Sequence, residues 1–361
     1  MKKISISTVI ISFLSAVIVG SSGFAAYKYL TTDKSMLGSE GDKLASHYGG
    51  DNVNVMLTRS ENWRQITEEK FLTRPDFAGI DGSTATIPIT AELARQFCGA
   101  SDDTKYRNNY VGSFVNHNKT DVAYENLILG RDNYVEEYDD HERKWNKLEE
   151  QVRLVFATPP SEDEYHTAEN NGVTLEVEPV ALDGFVFITH KDNPVDSLTV
   201  QQIRDIYSGR ITNWKEIGGR DEKIRAFQRT KNSGSQTAME ELVMQGESMA
   251  EAPVAFVAAE MGSLIESVAE YENESAAIGY TYYYYINNLY KNPDIKVISI
   301  DGVSPDNENL VSEKYPFTAA YYAVIRSDES QDSVYRRLRD YMLSEEGQEI
   351  VRLAGYCPVK G

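Results

Sequence analysis

The sequence predicts a mixed α/β protein with enough apolar residues for one large or two medium domains. Short apolar runs alternate with amphipathic helical stretches, which is the pattern of α/β architecture. Hydrophobic residues make up 41% of the 361 residues, so a largely disordered chain is ruled out. No internal repeat with a period of 20–50 residues is visible, which argues against a solenoid.

Four apolar runs are typical of strands that are buried on both faces of a sheet. These runs are 153–158, 183–189, 295–300 and 321–325. Five other stretches have helical spacing of their apolar residues. These stretches are 90–98, 199–207, 236–244, 332–342 and 344–354. Polar residues next to Thr199 and Thr237 are those expected where helices begin.

A strongly charged block at 131–151 separates two apolar segments. Its composition favours a solvated helix or a surface insertion. An arm that binds a partner is the alternative.

The charge and the isolated metal-ligand side chains exclude several function classes. The formal net charge of -20 argues against nucleic-acid binding, which needs a basic surface. Cys98 and Cys357 are far apart, and we expect both to be packing residues that are not bridged. The five histidines stand singly, so neither a zinc enzyme nor any cofactor is expected. No nucleophile motif of a hydrolase is present, and the chain is expected not to be an enzyme.

The first 30 residues predict an extracytoplasmic protein that is associated with the cell membrane. Two lysines precede an uncharged apolar stretch, 4–27, which fits either a signal peptide or a membrane anchor. Its length of about 24 residues is enough to span a bilayer and favours an uncleaved anchor. Residues 31–71 follow as a polar stalk or N-terminal extension.

Two loops carry groups that could bind an anion. Residues 81–88 and 229–237 are both rich in Gly, Ser and Thr, and each leads into a helical stretch. Such loops present backbone N–H groups, hydroxyls and the positive end of a helix dipole. Arg229 adds a planar cation that matches two oxygens of a tetrahedral anion. In either loop alone, the polar residues would be ordinary helix caps or turn residues.

At these loops the sequence resembles the phosphate-binding proteins of high-affinity phosphate ABC transporters, which are type II members of the two-lobed periplasmic binding protein superfamily. The resemblance runs from about Phe77 to Val359, through several motifs in the same order. These motifs are DGSTATIPI at 81–89, FITHKDNPVDSLTVQQIRDIYSGRITNWKEIGG at 187–219, FQRTKNSGSQTAM at 227–239, YPFTAAYYAVI at 315–325 and LSEEGQEIVRLAGYCPV at 343–359.

The resemblance implies a two-lobed periplasmic-binding-protein-like fold with two hinge crossovers and a ligand cleft between the lobes. The first lobe would comprise 72–182 and 320–361, and the second 183–319. It also implies a phosphate site to which both lobes contribute hydroxyls, backbone N–H groups and one guanidinium. The implied ligand-binding residues are Ser83, Thr84, Ala85, Thr120, Thr158, Arg229, Ser233, Gly234 and Ser235.

The sequence departs from the family pattern at one position of this site. Pro159 stands where the family has an Asp that accepts the proton of hydrogen phosphate. The acceptor must therefore come from Asp121, from Asp163 or from a backbone carbonyl, and phosphate is expected to be preferred over sulfate.

The implied function is capture of inorganic phosphate, or a similar tetrahedral oxyanion, for an ABC transporter permease. The alternative is a membrane-anchored surface sensor or partner-binding module built on the same fold. Undetectable affinity for anions would favour the alternative.

Overall fold

One long strand, Leu175–His190, is shared by the sheets of the two lobes. The computed structural model describes residues 57, 59–139, 141–258, 261–270, 276–289 and 291–359. The apolar N-terminal stretch lies outside these residues. Within them, no helix is both long and apolar enough to cross a membrane.

Thirteen strands are found in the described part of the chain. In chain order they are β1 (Ile80–Gly82), β2 (Asp132–Asp139), β3 (Lys144–Gln151), β4 (Leu154–Ala157), β5 (Leu175–His190), β6 (Ser197–Leu198), β7 (Arg225–Ala226), β8 (Gln228–Arg229), β9 (Val257–Ala258), β10 (Ala277–Tyr282), β11 (Ile295–Ile300), β12 (Thr318–Arg326) and β13 (Cys357–Pro358). All four predicted strands are confirmed, and the run at 183–189 is the second half of β5.

Nine α-helices are found in the same residues, and they cover all five predicted helical stretches. They are α1 (Ile87–Cys98), α2 (Thr120–Leu129), α3 (Glu162–Asn170), α4 (Val200–Tyr207), α5 (Gly234–Ala238), α6 (Met261–Ala269), α7 (Asn307–Val311), α8 (Val334–Met342) and α9 (Glu345–Leu353). Helix α5 continues directly into a π-helix, Met239–Met244. Thr199 caps α4 by accepting a hydrogen bond from the backbone N–H of Gln202, as its position predicts.

Strand β5 changes partners along its length, and this change produces the two-lobed architecture. Its first half pairs with β12 on one side and with β13 on the other. Its second half pairs with β10 and β11. Strands β4 and β1 extend the first group beyond β12, and β7 extends the second beyond β10. The fold is therefore the predicted α/β, two-lobed, periplasmic-binding-protein-like fold.

A buried carboxyl group lies where β5 passes from one lobe to the other. Asp183 accepts hydrogen bonds from the backbone N–H groups of Gly184 and Tyr284 and from the hydroxyl of Tyr321. Its complete burial raises the pKa of this carboxyl to about 7, against the lowering effect of those three donors. The crossover is therefore held by polar contacts inside an apolar core.

The charged block at 131–151 is a β-hairpin, so of the two forms predicted for it the helix is wrong, and a surface insertion is compatible with the structure. Strands β2 and β3 pair in antiparallel register, with Asp132 opposite Gln151 and Asp139 opposite Lys144. Asn133 and Val135 are buried from alternate positions of β2, the period of a strand. The abundance of charged side chains masked this alternation in the sequence.

Both cysteines have free thiols, which confirms the prediction that they are not bridged. Cys98 ends α1, and Cys357 opens β13.

Residues 59–71, the last part of the predicted N-terminal extension, lie along α1. The indole N–H of Trp63 donates to Glu92 Oε1 over 2.7 Å, and the backbone N–H of Ile66 donates to Gln96 Oε1 over 2.8 Å. Glu92 is fully buried, and its burial raises the pKa of its carboxyl. The extension therefore supplies a hydrogen-bond donor that a polar group in the core needs.

We expect Trp63→Phe to lower the free energy of unfolding by about 1 kcal/mol, because it removes a donor from the buried Glu92 carboxyl while retaining an aromatic ring. Urea denaturation of the full chain would measure this change. Asn62→Ala, at an exposed neighbouring position, is the control and should have no effect. Equal stability of both variants would show that the extension does not contribute to the core.

Candidate functional site

The first candidate loop is fixed beside the end of strand β4. Strands β1 and β4 are parallel, with Gly82 opposite Phe156, so their carboxyl ends meet at one sheet edge. The backbone N–H of Ser83 donates to Phe156 O over 2.9 Å. Thr84–Thr86 then form a single 3-10 turn before α1 begins at Ile87. This arrangement places the loop at the same sheet edge as Thr158, which follows β4.

A buried histidine and a buried threonine position this first loop. The His117 ring lies 2.9 Å from Ser83 O and 3.0 Å from the Thr90 hydroxyl. Complete burial lowers the pKa of His117. The Thr86 hydroxyl donates to Ser83 O and to Phe156 O. His117 is therefore a structural residue of the loop.

Thr158 presents a hydroxyl that lacks a hydrogen-bond partner among the described residues. Its side chain is 1% exposed, and its Oγ1 atom is fully buried. Buried hydroxyls are nearly always hydrogen-bonded, so an unpartnered one beside a cleft marks a place for a ligand or a water molecule. Thr120, the first residue of α2, is also buried.

The second candidate loop is built around the buried Arg229 at the end of β8. The Arg229 guanidinium donates from Nη1 to Ser235 Oγ and from Nε to Ala258 O, each over 3.0 Å. Its backbone N–H donates to the Tyr280 hydroxyl over 3.0 Å. Ser233 caps α5 by accepting from the backbone N–H of Gln236. The guanidinium is therefore held in one orientation beside the start of α5.

The second loop meets Thr120 and Thr158 at Gly234. A Cβ atom on Gly234 would lie 2.5 Å from Thr158 Oγ1 and 3.0 Å from Thr120 Oγ1. Both threonine hydroxyls therefore converge on the first residue of α5, which comes from the opposite lobe. The structure brings Thr120 and Thr158 to Gly234 and holds Arg229 against Ser235, with Ser233 acting as the helix cap. Ser83, Thr84 and Ala85 lie at the end of β1, and their part in the site stays a prediction.

A second contact joins the lobes at the rim of the cleft. The Lys231 ammonium lies 2.6 Å from Asp163 Oδ2, and the Asn232 amide lies 3.3 Å from the same oxygen. The hydrogen bond from Lys231 lowers the pKa of the Asp163 carboxyl, which is solvent-exposed. Asp163 is thus committed to Lys231, and Asp121 is exposed in the first turn of α2. Neither position suits the predicted acceptor inside the site.

A family model for a PBP superfamily domain matches residues 146–346, more than half of the chain. This chain belongs to the PBP superfamily.

Curated phosphate-binding proteins are similar to the chain over half of its length or more. The phosphate-binding protein PstS of Borreliella burgdorferi is 24% identical over 286 residues, which cover 78% of this chain and 89% of that protein. PstS of Bacillus subtilis is 27% identical over 181 residues, or 50% of this chain and 56% of that protein. The chain thus spans about half the length of the B. subtilis relative that it matches.

Solved structures of PBP-superfamily proteins show the same fold. A phosphate ABC transporter substrate-binding protein from Clostridium perfringens, solved with bound phosphate, has a TM-score of 0.56 and 26% identity. The alignment covers 78% of this chain and 98% of that one. A phosphate transport receptor from Vibrio cholerae has a TM-score of 0.52 at 24% identity, with 77% and 98% covered.

Tyrosines that support the site in this PBP-superfamily chain were missed by the sequence reasoning. The hydroxyls of Tyr124, Tyr282 and Tyr356 donate to the backbone carbonyls of Thr158, Gly234 and Ala85, respectively. Burial raises the pKa of all three hydroxyls, so they stay protonated as donors. Composition does not show where a hydroxyl points, so the tyrosine run at 282–285 does not reveal this role in the sequence.

We expect Gly234→Ala to prevent full closure of the lobes, because its Cβ would overlap Thr158 Oγ1. Small-angle scattering of the variant with and without oxyanions should show a larger radius of gyration than that of the unchanged protein. Adding Thr158→Ala removes the overlapping atoms and should restore the compact form. A single variant as compact as the unchanged protein would contradict this geometry.

Proposed function

We propose that this protein is an extracytoplasmic solute-binding protein that captures inorganic phosphate for an ABC transporter permease. The observation that carries the proposal is the convergence of the Thr120 and Thr158 hydroxyls on Gly234, beside the buried guanidinium of Arg229. The names of the similar proteins, and the phosphate in the C. perfringens structure, favour phosphate among tetrahedral oxyanions.

The proposed phosphate ligands provide hydroxyls, backbone N–H groups and one fixed cation. They are Ser83, Thr84, Ala85, Thr120, Thr158, Arg229, Ser233, Gly234 and Ser235. The N-terminus of α5 would direct backbone N–H groups and a partial positive charge at the anion. Arg229 would supply charge-assisted hydrogen bonds from a position set by Ser235 and Ala258.

The proposed cycle depends on movement of the lobes about β5 and β12, the strands that run between them. We assign 72–182 and 320–361 to one lobe and 183–319 to the other. With the lobes apart, phosphate would reach the threonines and Arg229 from solvent. Closure would then exclude water from the anion, which strengthens each hydrogen bond to it. When the protein is bound to a permease, separation of the lobes would release the anion.

We propose binding without covalent chemistry. The two loops offer donors for an oxyanion, and the names of the similar proteins, which describe phosphate binding, support this proposal. Turnover of a chromogenic phosphoester by the purified protein would contradict this part of the proposal.

We expect Arg229→Ala to weaken phosphate binding around a hundredfold. The change removes charge-assisted hydrogen bonds of roughly 1.5–3 kcal/mol each, and about 3 kcal/mol corresponds to a hundredfold in affinity. Calorimetric titration of the full chain, purified in detergent, with phosphate, sulfate, molybdate and nitrate would measure this.

The matched control is Arg210→Ala, which removes an exposed arginine of the same lobe that pairs with Asp205 and Glu247. It should leave phosphate affinity unchanged. Equal weakening by both variants would indicate a general charge effect, and the cleft would then not be the site. If the unchanged protein binds none of the four anions, the surface-sensor alternative is favoured.

We also propose that the N-terminal segment remains attached as a membrane anchor, since its uncharged stretch is long enough to span a bilayer. N-terminal sequencing of protein from the membrane fraction should then find residues upstream of Ala26. Carbonate washing should not release the protein. A mature N-terminus at Ala26 or Tyr27 would show cleavage and contradict the anchor.

A further inference from the structure

The side chain of Asp183 joins two parts of the chain at the point where β5 changes partners. The part of β5 that pairs with β13 ends at Leu182, and the part that pairs with β10 begins at Phe185. Between them, Asp183 Oδ1 accepts from the backbone N–H of Gly184 over 2.8 Å and from that of Tyr284 over 3.0 Å. Asp183 therefore ties β5 to the segment that follows β10, and we call its side-chain acid the hinge carboxyl.

Aromatic rings from both lobes cover the hinge carboxyl. Tyr321, on β12, donates its hydroxyl to Asp183 Oδ2 over 3.2 Å. The ring of Tyr284 lies 4.1 Å from that of Tyr356, which precedes β13. Tyr284 follows a strand of one lobe, whereas Tyr321 and Tyr356 belong to the other. Movement of the lobes apart would separate these rings and admit water to Asp183, which is only 2% exposed in this structure.

The same group of rings reaches both candidate anion loops. Tyr356 donates its hydroxyl to Ala85 O, and Tyr282 donates its hydroxyl to Gly234 O over 3.1 Å. Tyr321 lies between these two tyrosines, with its ring centroid 5.4 Å from that of each. A chain of contacts therefore runs from one loop to the other, and its central ring is the one that donates to the hinge carboxyl.

We propose that Asp183 is a positioning residue that takes up a proton from solvent when the lobes close on an anion, an inference that rests on the proposed function. Its donors are two backbone N–H groups and one hydroxyl, all of them neutral. A carboxylate held by neutral donors in an apolar interior is costly, because no cation offsets its lost hydration. With the lobes apart, water would stabilise the charge. The ionised form therefore favours opening, and the protonated form favours closure.

Asp183 titrates near neutral pH when it is covered. Burial raises the pKa of its carboxyl to about 7, against the lowering effect of its three donors. A solvated Asp has a pKa of about 3.9, so between these two values a falling pH favours closure. The titratable or charged groups around it are Tyr282, Tyr283, Tyr284, Tyr321, Tyr356 and Cys357, and Arg95, Arg229, Glu241 and Asp306 act on these tyrosines.

The decisive measurement is the number of protons that the protein takes up when it binds phosphate. Calorimetric titration of the full chain, purified in detergent, with inorganic phosphate at about pH 7 gives this number when it is repeated in buffers of different ionisation enthalpy. The protonation change of phosphate itself is common to all variants and cancels when they are compared. Asp183→Asn retains an oxygen that accepts from the two backbone N–H groups. It should lower the uptake by about half a proton, the share bound at the pKa of the covered carboxyl.

Tyr321→Phe should change the uptake in the opposite direction. It removes the hydroxyl that donates to the carboxylate, so the pKa of Asp183 rises further and the uptake at about pH 7 increases from about half a proton towards one. The matched control is Tyr315→Phe, which removes a buried hydroxyl that donates instead to Phe185 O over 3.1 Å. It should leave the uptake unchanged. This pair tests the inference even if Asp183→Asn does not fold.

Equal proton uptake by the unchanged protein, Asp183→Asn and Tyr321→Phe would overturn the inference, while their binding of phosphate would leave the proposed function intact. If the unchanged protein binds no phosphate, the proposed function fails, and small-angle scattering of the ligand-free protein tests the hinge separately. A smaller radius of gyration at about pH 6 than at about pH 8, with no such difference in Asp183→Asn, would support the proton-linked hinge. The same radius at both pH values would overturn it.

Discussion

The close approach of Gly234 to two threonine hydroxyls is the constraint on which the candidate site depends. Thr120 and Thr158 come from one lobe and Gly234 from the other, and a Cβ on Gly234 would leave 2.5 Å to the nearer hydroxyl. A residue without a side chain lets the backbone at the start of α5 come within hydrogen-bonding reach of a small ion held by the threonines. This close approach therefore requires glycine at position 234, and it would limit the proposed ligand to a small ion.

Buried tyrosines donate hydrogen bonds to backbone carbonyls of the candidate site, which would otherwise repel an anion. A loop that binds an anion through backbone N–H groups also contains carbonyl oxygens, which repel the anion when they face it. In each of three loops, one such carbonyl is instead held by a tyrosine hydroxyl: Tyr356 at Ala85, Tyr124 at Thr158 and Tyr282 at Gly234. The hydroxyls satisfy these buried carbonyls and fix the peptide planes, so the loops are preorganised before a ligand arrives.

The sequence predicts those elements in which the spacing of apolar residues matches the positions that are buried. It fails where one residue pattern is compatible with two structures. The run 295–300 is strand β11 itself, and the charged residues 131–151 conceal the alternation of a hairpin. The loop at 229–237 was predictable because its Gly, Ser and Arg residues precede a helix. The tyrosine donors to the loop carbonyls were not, because composition does not show which group a buried hydroxyl reaches. Only tertiary packing distinguishes these cases.

The net charge of -20 is compatible with an anion site because the relevant interactions act at contact distance. Surface charges are screened beyond about 8 Å at physiological ionic strength, whereas Arg229 and the loop N–H groups would touch the ligand. The acidic side chains near the cleft instead affect how closely the two lobes approach each other. Burial, together with the negative charges of Glu162 and Glu240, raises the pKa of the Glu241 carboxyl, whereas Lys231 and Asp163 form a pair of opposite charges. In the proposed cycle, these acidic groups would favour the open state when no anion contacts Arg229 and α5, so closure would be coupled to the presence of ligand.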